Sequence, residues 1–173
     1  MADTPFLIEP EGPEDAEAVT RLNERVFGPG RFARAAYRLR EQAPPDPSLS
    51  FVARVGSLLV GANGMTRVTI GKTPAYLLGP LIVEPVFRSQ GIGEALVMKS
   101  LEAARAAGAT LVILVGDESY YGRLGFRNAP TGRIAMPGPV DSRRLLYREL
   151  VEGAFEGVGG WVRGDLGSVR GDG

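Results

Sequence analysis

The chain has 173 residues, 44% of them apolar and 23% charged, and its 20 basic and 20 acidic side chains cancel. That balance suits one soluble globular domain spanning residues 1–173, and it leaves no overall field to steer the chain to nucleic acid or to an anionic membrane. Cysteine and histidine are both absent, which excludes disulfides, thiolate or imidazole metal ligands, a cysteine nucleophile and a Ser-His-Asp triad.

Met1 to Glu11 has neither the basic stretch nor the apolar run of a signal peptide. No apolar segment approaches the roughly 20 residues that span a bilayer. A cytoplasmic protein without membrane partners is the expectation.

Phe6 to Glu9 opens as a short strand. Pro13 suits a first helical turn, and Ala16, Val19, Leu22, Val26 and Phe27 follow at helical spacing until Gly28-Pro29-Gly30 stops them. A second helix is expected from about Arg31 to Gln42, with Phe32, Ala36 and Leu39 on one side. Ala43-Pro-Pro-Asp-Pro47 ends it. Two strands follow, Ser50 to Val55 and Ser57 to Met65, joined by a tight turn at Gly56-Ser57.

The run Ala75 to Glu84 loses strict alternation around Gly79-Pro80, as a strand buried on both faces does. Gly91 to Ala107 is alanine-rich and helical, capped by Gly108, and Thr110 to Val115 is a second buried strand, parallel to the preceding one if the helix is a crossover. Asp117 to Leu124 reads as a short helix with Asp117 as its N-cap, and Arg143 to Val151 as a final strand. The glycine-rich tail from Gly153, with Val158, Trp161 and Leu166 as its apolar anchors, is expected to pack loosely or fray.

Most of the chemistry lies between Leu81 and Leu96. A buried strand runs into Pro85, and the turn after it holds Arg88, Gly91 and Gly93 just where the long helix begins. Glycine lets backbone approach a ligand, and the free amides and positive dipole end of a helix suit a phosphate or diphosphate. Arg88 could add a charge-assisted contact at the rim. A P-loop would need Lys after the second glycine, and a dinucleotide fingerprint a small residue where Leu96 stands, so both fail.

The pattern Arg88-Ser-Gln-Gly-Ile-Gly93, preceded by Val83-Glu-Pro85, resembles the diphosphate loop of the GNAT superfamily of N-acetyltransferases. A second motif, Tyr120-Tyr-Gly-Arg-Leu-Gly-Phe126, resembles the family's Tyr-x-x-x-Gly-Phe through Tyr121, and together with Leu78-Gly-Pro-Leu81 and Gly116-Asp117 it is similar to the YhbS-like bacterial branch.

The resemblance implies an α/β (α+β) GNAT fold, with a mixed, partly splayed sheet of six to seven strands and helices on both faces. It also implies acetyl-CoA as cosubstrate, without a metal. The pantetheine arm would lie along Leu81, Ile82 and Val83, and the diphosphate against Arg88, Ser89, Gln90, Gly91, Ile92, Gly93 and Glu94. Tyr121 would protonate the departing thiolate, while Tyr120 and Phe126 would pack beneath the sheet. Lacking Cys and His, the chain would pass the acetyl group directly to an amine of a small molecule or a protein. Glu84, Asp117, Glu118 or water could be the base. A homodimer through the C-terminal region is one assembly the chain could form. An acyl-CoA-binding module without turnover is the alternative reading.

Overall fold

The computed structural model describes residues 5–28 and 35–165. Arg31 to Arg34, at the start of the predicted second helix and including Phe32, lie outside the described residues, as does Leu166.

Strand β1 (Leu7–Pro10) leads through a single helical turn at Pro13–Asp15 into α1 (Ala16–Phe27), and α2 (Ala35–Gln42) follows. Strands β2 (Phe51–Val55), β3 (Leu58–Ile70) and β4 (Thr73–Val83) form an antiparallel meander. The crossover helix α3 (Ile92–Ala106) then leads to β5 (Leu111–Val115), which lies parallel to β4. After α4 (Glu118–Tyr121) come β6 (Arg127–Asn128), β7 (Ile134–Ala135), β8 (Leu145–Glu149) and β9 (Gly160–Gly164). The sheet runs β1-β2-β3-β4-β5-β8-β6, with β9 joined to β3 and β7.

Two departures from the sequence reading share one cause. β3 continues to Ile70, past the expected end at Met65, and the expected loose tail supplies a ninth strand. β2 covers one edge of β3 only as far as Asn63, and β9 takes over that edge at Val68 to Ile70. Each stretch completes the other's hydrogen bonding. Phe155, Val162 and the expected anchor Val158 hold this return in the core, whereas Trp161, also expected as an anchor, is 56% exposed.

β5 alternates between two cores, as a strand covered on both faces must. Leu111 and Ile113 join Leu39, Leu77, Phe155 and Val162 on one face; Val112 and Leu114 join Val97, Leu101 and Ala104 of α3 on the other. The helix is also pinned by polar atoms: Asn63 Nδ2 donates to Ser100 Oγ at 2.9 Å, and Ser100 Oγ donates to the Leu49 carbonyl at 2.9 Å. At the other end of the sheet, Arg54 bonds Asp15 and Glu9, each at 2.7 Å, tying β2 to β1 and to the start of α1.

Two irregularities shape the functional region. β4 and β5 are paired only at Tyr76–Val112 and Leu77–Ile113, beyond which β4 runs on to Val83 beside no partner on that edge among the described residues. At the same level the β3–β4 register shifts between Asn63 and Met65, so that Gly79 and Pro80 bulge out of the ladder. The sheet opens there into a V.

Candidate active site

The V is the mouth of a cavity of about 700 Å³. Leu78 to Leu81 of β4 form one wall, and Val115, Gly116 and Asp117 at the end of β5 form the other. Asn23 and Phe27 of α1, Tyr37 and Arg40 of α2, and the 139–144 loop complete it. Arg40 Nε donates to the Gly79 carbonyl at 3.2 Å, fastening α2 to the bulge.

At one end of the cavity, Arg88 lies in the wall, with its Nε donating to the Val83 carbonyl at 3.3 Å. The turn after it bends through positive φ at Ser89 (67°) and Gly91 (86°), and α3 begins at Ile92. No side chain caps this helix. Its first amides are therefore available to an anion, and the dipole adds positive potential.

The expected cofactor residues divide by role. Leu81 and Arg88 line the cavity, whereas Ile82 and Ile92 are buried in the core, 1% exposed each, and only their backbone can face a ligand. Leu81, Ile82 and Val83 use one backbone edge to pair with Asn63, Ala62 and Gly61 of β3, which leaves the other toward the V. Ser89, Gln90 and Gly91 form the turn, and Gly93 is the second residue of α3. The Glu94 carboxylate points elsewhere, pairing with Arg123 at 2.7 Å.

Both tyrosines of the second motif line the cavity. Tyr121 is the deeper one: its ring stands edge-on to Phe126 at 5.9 Å and lies against Gly116, where a Cβ would come within 2.5 Å of the ring. Burial, followed by the neighbouring Tyr120, holds the Tyr121 phenol well above its ordinary pKa, so it keeps its proton at neutral pH. Phe126 is buried as expected, 2% exposed. Tyr120 differs from expectation. Rather than packing beneath the sheet, it spans from α4 to the start of α3, its hydroxyl 2.6 Å from where a Cβ on Gly93 would stand. The signal was the pair of adjacent tyrosines on a one-turn helix, whose rings must point in different directions.

The three candidate bases are separated. Glu84 is outside the cavity wall and paired with Arg25, and Glu118 is also outside it. Asp117 is in the wall, but its side chain accepts from Arg144 Nε at 3.2 Å rather than capping α4.

Residues 46–128, a little under half of the chain, match the acetyltransferase (GNAT) domain, and that stretch is a GNAT domain.

Over 116 residues the chain is 32% identical to the uncharacterized N-acetyltransferase YjhQ of Escherichia coli strain K12, covering 65% of this chain and 64% of that protein. With the uncharacterized N-acetyltransferase YhbS of the same strain it shares 27% identity across 159 residues, 91% of this chain and 95% of the relative. The crystal structure of Escherichia coli YhbS in complex with CoA superimposes with a TM-score of 0.78 at 25% identity, covering 95% of this chain and 92% of that one. A GNAT family acetyltransferase from Brucella melitensis, in complex with acetyl-CoA, gives 0.58 at 28% identity, covering 88% of this chain and 99% of that one.

Proposed function

We propose that this protein is an acetyl-CoA-dependent N-acetyltransferase that moves the acetyl group in one step to a primary amine of a small molecule or a protein. The observation that carries this reading is one cavity whose wall holds Arg88, at the head of the turn into α3, the unpaired edge of β4 from Leu78 to Leu81, and Tyr121. A CoA thioester fits that set. Its diphosphate would take the free amides of the α3 start with Arg88, and its pantetheine amides would take the backbone edge from Leu81 to Val83.

When bound, acetyl-CoA supplies an acyl carbon activated as a thioester. The chain's own groups then have separate tasks. The β4 edge fixes the thioester where an amine can approach, which replaces a bimolecular encounter with a positioned one. Tyr121, protonated and desolvated, donates its proton toward the sulfur as the carbon–sulfur bond breaks. With no His or Cys in the chain, no imidazole or thiol carries the acetyl group between steps. Asp117 and Asp141 are the carboxylates in the cavity wall among the described residues, and one of them or a water would take the amine's proton.

Thiol release from acetyl-CoA, followed over a panel of polyamines, aminoglycosides, amino acids and peptide N-termini, tests the reading. Turnover with at least one class is expected, and Tyr121→Phe should lower kcat by about 10²-fold with KM for acetyl-CoA little changed. Thermal stabilisation by acetyl-CoA with no thiol release from any class would instead indicate a binding module. No stabilisation at all would sink both readings.

A further inference from the structure

The position two residues after Tyr121 is left free by the motif that marks this region, yet here it holds an arginine with two partners at the helix start. Arg123 Nη1 pairs with Glu94 Oε2 at 2.7 Å, and its guanidinium carbon lies 5.2 Å from the centre of the Tyr120 ring. Glu94 is in the first turn of α3, and the Tyr120 hydroxyl stands against Gly93 one residue earlier. Arg123 itself is absent from the cavity wall.

A carboxylate in the first turn of a helix is stabilised by the dipole. The same potential is what an incoming diphosphate uses, so a bare Glu94 would repel the ligand that the turn is shaped to hold. An arginine paired with that carboxylate removes the repulsion without touching the ligand.

Resting on the CoA reading above, we propose that Arg123 sets the affinity for the cosubstrate diphosphate indirectly, by neutralising Glu94 at the α3 N-terminus. Arg123 is thus a positioning residue rather than a ligand contact. Its stacking on Tyr120 keeps the guanidinium from swinging away when the cavity fills.

The test is the dissociation constant of CoA, measured by calorimetry on four full-length proteins: wild type, Arg123→Gln, Glu94→Gln and the double variant. At low salt, Arg123→Gln should weaken CoA by about three- to fivefold, the scale of one exposed ion pair. The double variant, which removes both charges, should return to within about twofold of wild type, because the net charge at the helix start is again zero. Near 1 M salt, where the Debye length is about 3 Å, the single-variant loss should shrink toward nothing. Arg123→Lys, which keeps the charge, should bind close to wild type and covers the case in which the glutamine variant folds poorly.

A double variant that binds as weakly as Arg123→Gln would make Arg123 a direct contact and overturn the proposal, as would the absence of any loss in the single variant. A wild-type protein that does not bind CoA would remove the underlying reading as well, and is recognised by that single measurement.

Discussion

At Gly93 the space a side chain would need is already taken. A Cβ there would stand 2.6 Å from the Tyr120 hydroxyl but 3.8 Å from the ring carbon that bears it. The first distance is a clash and the second an ordinary contact. Gly93→Ala should therefore displace Tyr120 and disturb the first amides of α3, weakening CoA binding by about tenfold. Gly93→Ala combined with Tyr120→Phe removes the offending oxygen and should recover most of that loss in a calorimetric titration. Recovery would separate crowding from any intolerance of the backbone, since Gly93 does not have positive φ. An unrecovered double variant would mean that the amide geometry itself had changed.

Among the elements, α3 is the one on which the site depends most, because its start presents the amides and its body fixes where they point. Leu96, Val97 and Leu101 seat it on the sheet, and Ser100 links it to β3 and to the segment before β2. Ser100→Ala would leave the amide nitrogen of Asn63, a residue with 0% exposure, without its acceptor. A cost of about 1–3 kcal/mol is expected, read as a lowered Tm or urea midpoint.

This helix and the strand after it were legible in the sequence, because their apolar residues recur at short, regular spacing. The turn from Arg88 into α3 was legible for a similar reason: its glycines and the preceding proline are local signals. β9 was not, since Gly160-Trp-Val-Arg-Gly164 carries only Val162 as a buried residue and gains strand geometry from β3, far away in the chain. The last part of β3 did carry a signal, for Thr66, Val68 and Ile70 are buried while Arg67 is exposed, a period of two that continues past Met65. The Arg123–Glu94 pair and the reach of Tyr120 to Gly93 were illegible for another reason. They depend on how two helices meet, which spacing along one chain does not encode.

For the molecule as a whole, the Asp15–Arg54–Glu9 cluster joins the outer strands to α1 and makes stability depend on pH. Burial alone would raise the Asp15 carboxyl. Its hydrogen bonds from Arg54 and from the Gly12 amide, together with the Arg54 charge, hold it below its ordinary value instead. A carboxyl lowered in this way stabilises the folded state above its unfolded pKa of about 3.9, and that contribution is lost as pH falls through the lower folded value. Asp15→Asn should cost roughly 2–4 kcal/mol at pH 7 by leaving Arg54 short of a partner. The gap in Tm between variant and wild type should close as the pH drops below about 4. Glu11 shifts the other way, raised by burial and by Asp15, so the comparison is best made as a difference between the two proteins at each pH.

The return of β9 to β3 also governs the order in which this chain can be completed during synthesis. β3 ends at Ile70 and β9 begins at Gly160, so about 90 residues separate the two halves of one pairing. While a ribosome makes those residues, the Val68-to-Ile70 edge has its hydrogen-bonding groups and apolar side chains open to any other strand. At about 5–20 residues per second that interval lasts several seconds, long compared with the formation of the β3–β4 hairpin beside it. The nascent chain thus carries an unguarded strand edge throughout the synthesis of α3.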